Sequence, residues 1–529
     1  MNKKTFSGSN GVVLIFLLLI LISGYFFRCY SAKDRGLFHY DEGLYFSETR
    51  FLNEGFRYIM INGLDKAIDF GRLKSETNGI PLITGKPGYN LVLFLFSLAA
   101  GVNDRTLILV SVMFGIINIF LIFLITQHLY NKWLGLISAS LAAVSSYHIY
   151  YSTIALPEMV GAVFFLIGFY CYLLSIQRRG VLFLALSGFA VGYAFTCNQW
   201  RWVFLPLSIV FFDFLRLTMH KINFYNLVKR NFVFISFCLI PIVSFQAPYK
   251  ILLLVNKYLP FRTYFQQLSE RLAAGEPMVF SFQNSWVFLK YFWIIEGPIL
   301  SLILFYGIIR LAIDVFKKNK EADIYIFLIT ILPFLAFSLL TYSGENLSRT
   351  VSISLFFSSI IIARLFMNVK NIRVIYLLVL LILSYGFFNV YKKPHLYSGY
   401  KEAASYINKR GYTSIFVLDN EAVFRAYAGR IAYKPYERPA NLAELMKMTK
   451  QAGIKILVVD YNVLYSKYGQ GFIGEITNSL KPEAVFENTL SNSYVHLTDL
   501  YNHKTINKII SDPRTRFIKI YNIECLMAF

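Results

Sequence analysis

Long apolar blocks alternate with short polar connections over most of the chain. The blocks extend to about 20 residues, which is the length an α-helix needs to cross a bilayer. The first runs from Gly11 to Phe27 and follows Lys3 and Lys4. The later blocks occupy residues 105–127, 133–150, 157–175, 181–196, 201–217, 232–248, 291–313, 324–341, 350–367 and 373–390. This pattern predicts an all-helical membrane bundle of about eleven spans.

A shorter apolar block from Pro87 to Gly101 decides the direction of every later span. If this block does not span, the connections on the N-terminal side of the membrane hold Lys132, Arg178, Arg179, Arg216, Lys221, Lys229, Arg230, Lys317, Lys318, Lys320, Lys370 and Arg373. The short connections on the other side hold few cations. By the positive-inside rule, the short block is then an outer juxtamembrane or re-entrant helix. We predict a cytoplasmic N-terminus and an extracytoplasmic C-terminus.

The sequence divides into two predicted domains. Residues 1–391 form the transmembrane domain, whose larger outer loops are 28–86 and 249–290. The second of these loops is expected to contribute a juxtamembrane helix. Residues 392–529 form a soluble, extracytoplasmic α/β domain with helices at 400–410 and 440–452, strands at 414–418 and 455–460, and an edge strand at 516–521. This domain has no glycine-rich phosphate loop, so no nucleotide site is predicted.

Composition narrows the functional classes. The formal charge of +22 accompanies 56% hydrophobic residues, and in a membrane protein basic loops that fix orientation explain such a charge better than nucleic acid does. The five cysteines form no CxxC pair, so neither a metal site nor a disulfide framework is predicted. No tightly bound cofactor is expected, and the involvement of a divalent cation is left open.

Two polar sites occur in the first outer segment. Asp41 and Glu42 open a stretch with helical periodicity that fits an amphipathic helix on the membrane surface. Capping of that helix is the alternative explanation for the acidic pair. Lys86 stands at the start of the short apolar block. Its side chain can anchor the chain at the headgroups, or it can bind a lipid phosphate as a point charge.

Three further residues stand at the outer ends of spans. Glu158 follows Pro157 at the beginning of one block, where an acid at a helix start is also ordinary. Arg201 and Arg349 are cations in outer connections that carry little other positive charge, and a bidentate phosphate contact is one reason to keep them there.

Together these residues place acids and cations on one side of the membrane, at headgroup depth. An acid can deprotonate a hydroxyl nucleophile, and cations stabilise a departing phosphate. Glycosyl transfer from a lipid-phosphate sugar requires both.

The same residues resemble the GT-C superfamily of polyprenyl-phosphate-sugar glycosyltransferases, most closely its protein O-mannosyltransferase branch and the bacterial aminoarabinose transferases. The resemblance rests on Asp41-Glu42 with Tyr45, on Lys86-Pro87, on His148-Ile149-Tyr150-Tyr151-Ser152 followed by Ala155-Leu156-Pro157-Glu158, and on Arg349. Three positions depart from the family pattern: Glu158 replaces an Asp, Gly88 a second Pro, and Leu44 an Arg.

The resemblance implies a GT-C fold and transfer of a single sugar, with inversion, from undecaprenyl or dolichyl phosphate. It implies Asp41 as general base, with Glu42 and Glu158 as further catalytic residues that orient acceptor or donor. Lys86, Arg201 and Arg349 would hold the donor phosphate. His39, Tyr45 and Tyr89 would contact substrate. The location it suggests is a bacterial inner membrane.

Other classes stay open. A polymerase or ligase of lipid-linked glycans would have similar outer loops. A transporter or flippase would place ionisable residues within the spans or show matching halves, and neither feature is visible. The sequence does not choose between lipid, glycan and protein acceptors, and it does not identify the sugar.

Overall fold

The computed structural model describes residues 9–67, 69–70, 86–178, 180–198, 204–255, 278–280, 283–318, 320–342, 349, 352–392, 395–413, 415–418, 420–429, 432–433, 441–460, 475–476, 480–501 and 503–524. Arg201 lies outside the described residues. So does the middle of the second outer segment, where a juxtamembrane helix was predicted. Helices continue into both ends of that segment, since one ends at Val255 and the next begins at Gln283.

Helices form most of the described chain up to Lys392. They are α1 (Ser9–Ala32), α2 (Tyr40–Asn62), α3 (Pro87–Ala100), α4 (Asp104–Leu129), α5 (Lys132–Val144), α6 (Ser146–Ser152), α7 (Glu158–Arg178), α8 (Val181–Cys197), α9 (Phe204–Thr218), α10 (Phe224–Val255), α11 (Gln283–Glu296), α12 (Pro298–Lys318), α13 (Glu321–Leu339), α14 (Ser352–Arg364) and α15 (Ile372–Lys392). A two-stranded antiparallel sheet joins β1 (Met278–Phe280) to β2 (Leu340–Tyr342).

Among the described residues, six helices are long and apolar enough to cross a membrane, namely those at Asn10–Ala32, Asp104–Leu129, Glu158–Arg178, Phe224–Ala247, Pro298–Lys317 and Ile372–Lys392. Shorter apolar helices pack among them, and the short block after Lys86 forms one of these. Its position at the outer surface stays a prediction. Every other apolar block of the sequence also contains a helix. The multi-spanning helical bundle is therefore confirmed.

The block at 133–150 was predicted as one continuous span, and this is wrong. The helix ends at Val144 and a new one starts at Ser146. The buried Arg28 of α1 donates to the carbonyls of Ala142 and Ala143, at 3.3 and 3.1 Å, and so satisfies the end of α5. Because a buried helix end needs such partners, charged side chains from elsewhere in the fold make the break stable.

The block at 291–313 is divided as well. Gly297 has φ of 87°, and Pro298 starts α12 without a backbone N–H to donate. The break leaves Glu296 at the end of α11, where its carboxylate accepts hydrogen bonds from Ser145 Oγ and from the backbone N–H groups of Ser146 and Tyr147, at 2.6 to 3.1 Å. This carboxylate caps the N-terminus of α6, where negative charge is favourable.

The C-terminal region contains a five-stranded mixed sheet. Its helices are α16 (Tyr400–Lys409), α17 (Glu421–Ala428), α18 (Leu442–Gln451), α19 (Tyr494–Leu497) and α20 (His503–Ser511), and its strands are β3 (Ile415–Val417), β4 (Ala432–Tyr433), β5 (Ile456–Asp460), β6 (Ala484–Glu487) and β7 (Phe517–Asn522). The strand order is β4-β3-β5-β7-β6, with β7 antiparallel to both of its neighbours. The last predicted strand is confirmed, but its expected edge position is wrong, because β6 covers that edge.

The C-terminal region packs directly on the first outer segment. A Cβ placed on Gly43 of α2 would lie 2.4 Å from the carbonyl carbon of Ala422 in α17, so only glycine permits this approach. Asn420 donates to the carbonyl of Phe38 at 2.7 Å. Tyr427 accepts from the backbone N–H of Leu37, also at 2.7 Å. The two predicted domains therefore share a close interface at α2.

Candidate active site

The first turn of α2 carries the acidic pair. Glu42 accepts hydrogen bonds from the backbone N–H groups of Phe38 and His39, both at 2.9 Å, and so caps the helix from its own third residue. Asp41 and Glu42 also stand where the helix dipole favours negative charge. Capping of the helix thus explains Glu42. It does not explain Asp41, whose side chain contacts Arg349 instead.

Glu42 is completely buried and saturated with hydrogen bonds. Arg35 binds it in bidentate fashion at 2.8 and 3.1 Å, and the backbone N–H of Ala155 donates to it at 2.7 Å. Burial acts to raise the pKa of Glu42, but Arg35 and the other donors outweigh it and hold the pKa below its ordinary value. Glu42 thereby fixes the segment that precedes Glu158 against the start of α2.

Asp41 is the more accessible acid, with about a third of its side chain exposed. Its Oδ2 accepts from Arg349 Nη1 at 3.1 Å. Burial acts to raise the pKa of Asp41, yet the charges of Lys86 and Arg349 outweigh it and keep the pKa well below its ordinary value. Asp41 is therefore ionised at neutral pH and faces two cations.

Lys86 lies over the aromatic part of the site. Its Nζ donates to the hydroxyl of Tyr45 and lies 5.0 Å from the centre of that ring. Tyr89 packs edge-on against Tyr45, with 5.0 Å between ring centres, and is itself completely buried. Tyr45 is also buried, so the ring that Lys86 contacts is held in place by Tyr89.

The structure explains why position 88, where the family pattern has a second proline, is a glycine. A Cβ at this position would lie 2.1 Å from Thr196 Oγ1 on α8. Tyr193 of the same helix donates to the Gly88 carbonyl at 2.9 Å. The missing side chain lets the start of α3 approach α8 closely, and this contact helps to fix Lys86.

Glu158 is buried at the start of α7. The preceding segment is tied to Glu42 through Ala155, and the helix is tied to α4 through Asn118, whose Nδ2 donates to the Met159 carbonyl at 3.2 Å. The structure thus brings Asp41, Glu42, Lys86 and Arg349 into one region, with Glu158 connected to it through the backbone. Arg201, outside the described residues, cannot be placed.

Two residues of the site, Asp499 and Arg35, were missed by the sequence analysis. Asp499, from the C-terminal region, accepts from the backbone N–H of Arg349 at 2.8 Å and from the hydroxyl of Tyr150 at 2.7 Å. The same hydroxyl lies 3.2 Å from Nε2 of His39. Burial lowers the pKa of His39 to about 4, so its ring is neutral at pH 7.

No local sequence signal could have identified Asp499. It lies 150 residues from Arg349 along the chain, in a domain whose fold the apolar pattern specified only in part. Arg35 was detectable in principle, because an arginine seven residues before a buried glutamate is a candidate partner, but periodicity does not reveal such a pair.

The chain is similar to known proteins in part of its sequence and in its fold. Residues 85–244 match the family model of dolichyl-phosphate-mannose-protein mannosyltransferases. No curated protein matches the chain in sequence. Among solved structures, ArnT from Cupriavidus metallidurans in the apo state superposes with a TM-score of 0.60 at 12% identity, over 98% of this chain and 99% of that one.

Two further structures hold lipid phosphates. ArnT from the same organism bound to undecaprenyl phosphate gives a TM-score of 0.58 at 12% identity, over 98% of this chain and 99% of that one. The archaeal oligosaccharyltransferase AglB from Archaeoglobus fulgidus, in complex with an inhibitory peptide and a dolichol-phosphate, gives 0.54 at 11% identity, over 90% and 73%. The chain therefore has a GT-C fold, shared with ArnT and with the archaeal oligosaccharyltransferase, and its residues 85–244 match the mannosyltransferase family.

Proposed function

We propose that the chain transfers a single sugar from a polyprenyl phosphate, undecaprenyl or dolichyl, to the hydroxyl of a lipid, glycan or protein acceptor. The observation that carries this proposal is the ionised Asp41 beside Arg349 and Lys86, at the end of the bundle where the first outer segment meets the C-terminal region. Undecaprenyl phosphate in ArnT and dolichol-phosphate in AglB support the class of donor.

The reaction we propose is a direct displacement with inversion. Asp41 takes the proton of the acceptor hydroxyl as its oxygen bonds to the anomeric carbon. The bond between that carbon and the phosphate oxygen breaks, and the phosphate leaves with the electron pair. Lys86 and Arg349 neutralise the charge that develops on the leaving group, as preorganised cations do in other phosphate-releasing enzymes. Arg201 remains a further candidate for this role.

The ion pair between Asp41 and Arg349 suggests an order of events. With the donor absent, Arg349 holds Asp41 in its ionised form, which is a weak base because its pKa is low. When the donor phosphate binds to Arg349 and Lys86, these cations gain a second anionic partner. The phosphate charge then raises the pKa of Asp41, and a stronger base is produced only once the donor is in place.

In this proposal three residues hold the groups around Asp41 in position without reacting themselves. They are Glu42, Tyr45 and Tyr89. Glu42 and Tyr89 are fully buried and position the first turn of α2 and the Lys86 side chain. Glu158 would orient the acceptor or donor from α7, and His39 would contact substrate through its neutral ring. We also propose a bacterial inner membrane, which the family resemblance suggests. The C-terminal region would be on the extracytoplasmic side, because the basic connections are predicted on the opposite side of the membrane.

The test uses the purified full-length protein and its Asp41→Asn variant, each with a panel of polyprenyl-phosphate monosaccharides and crude membrane acceptors. We expect one donor to release free polyprenyl phosphate with the wild type, and Asp41→Asn to lower that rate by about 100-fold or more. Asp65→Asn, which removes an exposed carboxylate in the same outer segment, is the matched control. Near-normal release by Asp41→Asn would overturn its role as base. No release from any donor would favour a glycan polymerase or a transporter.

A further inference from the structure

A cavity of about 540 Å³ lies beside the candidate active site and is not used by the proposed reaction. It is formed by the C-terminal end of α1 with the segment that follows, by the first turns of α4, and by the start of α16. The residues that matter here are Lys33, Asp34, Arg35, Arg105, Leu109 and Glu402. Charged groups line one part of this cavity and apolar groups the other.

Some of the charges already have partners within the protein. Arg35 binds Glu42, and Lys401 binds Asp104 at 3.1 Å. Four exposed side chains remain, two cationic and two anionic: Lys33, Arg105, Asp34 and Glu402. Within the described part of the chain, none of these four forms an ion pair. The available charge of the cavity is therefore balanced, with two of each sign.

Arg35 also lines the cavity, but its charge is already used within the protein. The side chain is 1% exposed, and its two terminal nitrogens are engaged by Glu42 and by the Gly36 carbonyl. Lys33 and Arg105 are therefore the cations of this cavity that can reach a ligand.

The apolar part of the cavity leads to the membrane-facing side of α4. Ile108, Leu109 and Val112 line the cavity. From Leu109 the exposed apolar side chains continue along the same helix at Met113, Ile117 and Phe120. Because residues three and four apart share one face of a helix, these side chains form a stripe that leads away from the charged end. The ligand that fits both parts has a charged head and an apolar tail.

We propose that this cavity binds a phospholipid of the surrounding bilayer with a zwitterionic phosphoethanolamine headgroup. Lys33 and Arg105 bind the phosphate, while Asp34 and Glu402 accept hydrogen bonds from the ammonium. The acyl chains lie along the stripe on α4. A purely anionic headgroup would leave both carboxylates facing negative charge, and a quaternary ammonium has no N–H to donate to them.

Direct binding tests this proposal and does not depend on the transfer reaction. The full chain, delipidated in neutral detergent, is offered phosphatidylethanolamine, phosphatidylglycerol, phosphatidylcholine or inorganic phosphate, and native mass spectrometry measures the bound fraction. We expect the ethanolamine lipid to bind about tenfold more tightly than either other lipid. Equal binding of all three lipids would overturn the headgroup assignment. Phosphate alone binding as tightly as the lipid would show a free-phosphate site instead.

Two double variants test separately the contacts to the phosphate and the contacts to the ammonium of the headgroup. The double variant Lys33→Ala/Arg105→Ala is expected to weaken binding about tenfold, whereas Lys504→Ala/Lys508→Ala, an equal loss of charge from the exposed face of α20, leaves it unchanged. The double variant Asp34→Asn/Glu402→Gln removes the preference for ethanolamine over choline but retains phosphate binding. Asn suits position 34, whose φ of 58° is left-handed. Equal affinity in wild type and Lys33→Ala/Arg105→Ala contradicts the proposal.

Cysteine labelling locates the bound lipid. Cys29 lines the cavity, and Cys171 of α7, which is half-buried like Cys29, does not. Added phosphatidylethanolamine is expected to slow alkylation of Cys29 severalfold and to leave the rate at Cys171 unchanged. Equal slowing at both cysteines would mean that the lipid coats the protein without occupying this cavity.

Discussion

At the scale of single residues, Asp41 and Glu42 are neighbours in sequence with different environments. Glu42 accepts five hydrogen bonds and is buried, so its oxygens are already occupied by the protein. Asp41 contacts one arginine and keeps part of its surface exposed. A carboxylate that accepts a proton from a substrate must be accessible and only lightly constrained. Asp41 fits that description better than Glu42.

The pH dependence of turnover should report the rise in the pKa of Asp41 that we propose when the donor phosphate binds to Arg349 and Lys86. In the free enzyme its pKa is lowered, so the basic form persists as pH falls and is lost only in strong acid. With donor bound, the phosphate raises the pKa of Asp41, and the basic form is lost at a higher pH. We expect the acid limb of kcat to lie at higher pH than that of kcat/KM. If the acid limbs of kcat and kcat/KM coincide, donor binding does not raise the pKa of Asp41, and the proposed order of events is wrong.

Lys86→Ala tests the phosphate contact separately from the proton transfer. Loss of one charge-assisted contact should weaken donor binding by about tenfold, with a smaller effect on the rate of the bound complex. Donor affinity is measured by titration with polyprenyl phosphate, and the rate by single turnover at saturation. Lys66→Ala, which removes an exposed lysine of the same outer segment, serves as the control. Unchanged donor affinity in Lys86→Ala would rule out the phosphate role.

At the scale of elements, the contact between α2 and α17 links the helix that carries Asp41 to the C-terminal region. Gly43 is one residue beyond Glu42, and the backbone of Ala422 occupies the space that a side chain would need. Arg50, two turns further along α2, donates to the carbonyl of Ala426 at 2.7 Å. Backbone groups in close contact cannot yield as a flexible side chain can. The contact therefore depends on glycine.

Gly43→Ala should loosen this interface. Overpacking costs about 1–3 kcal/mol where side chains can adjust, and here the clash is with backbone. We expect a lower thermal midpoint in detergent and faster proteolysis between Lys392 and Tyr400. Gly11→Ala is the matched control, because a Cβ there meets nothing within 4 Å. A thermal midpoint equal to that of Gly11→Ala would mean that the interface is not held at Gly43.

At the scale of the whole molecule, the C-terminal region takes part in the candidate site. Asp499 accepts from the backbone N–H of Arg349 and from Tyr150, and Arg349 in turn contacts Asp41. Asp499 is not itself placed on substrate, and its part is to position the backbone of Arg349. The C-terminal region therefore helps to build the candidate site in the first outer segment.

Asp499→Ala tests that positioning. We expect kcat/KM to fall about tenfold or more, with the loss appearing in donor affinity, because Arg349 is no longer fixed. The acid limb of kcat/KM should also move upward, since a displaced Arg349 no longer lowers the pKa of Asp41. Glu444→Ala removes an exposed carboxylate from the same region as a control. A loss of stability with an unchanged pH profile would indicate a purely structural role.

Much of the fold could be predicted because a bilayer imposes one strong rule. Apolar segments must form helices there, so the blocks after Gly11 and the helix after Lys86 follow from composition alone. The break at Ser145 did not follow, because Arg28 and Glu296 stabilise it from other helices. Nor did the break at Gly297, which leaves the carboxylate of Glu296 at the N-terminus of α6. In the C-terminal region, strands rich in β-branched residues were recognisable, but the order of β7 and β6 depends on long-range pairing.

The sequence by itself predicted the class of this protein and the residues that the structure brings together at the centre of the candidate site. The evidence was local: the length of the apolar blocks, the charge of the loops, and the charged residues Asp41, Lys86 and Arg349. Such features can be identified in the sequence whatever fold the chain adopts. Only the tertiary structure decided which acid is occupied and which is accessible, and that Asp499 joins the site. The physical reason is that burial, hydrogen bonding and pKa depend on partners more than a hundred residues away, which periodicity does not encode.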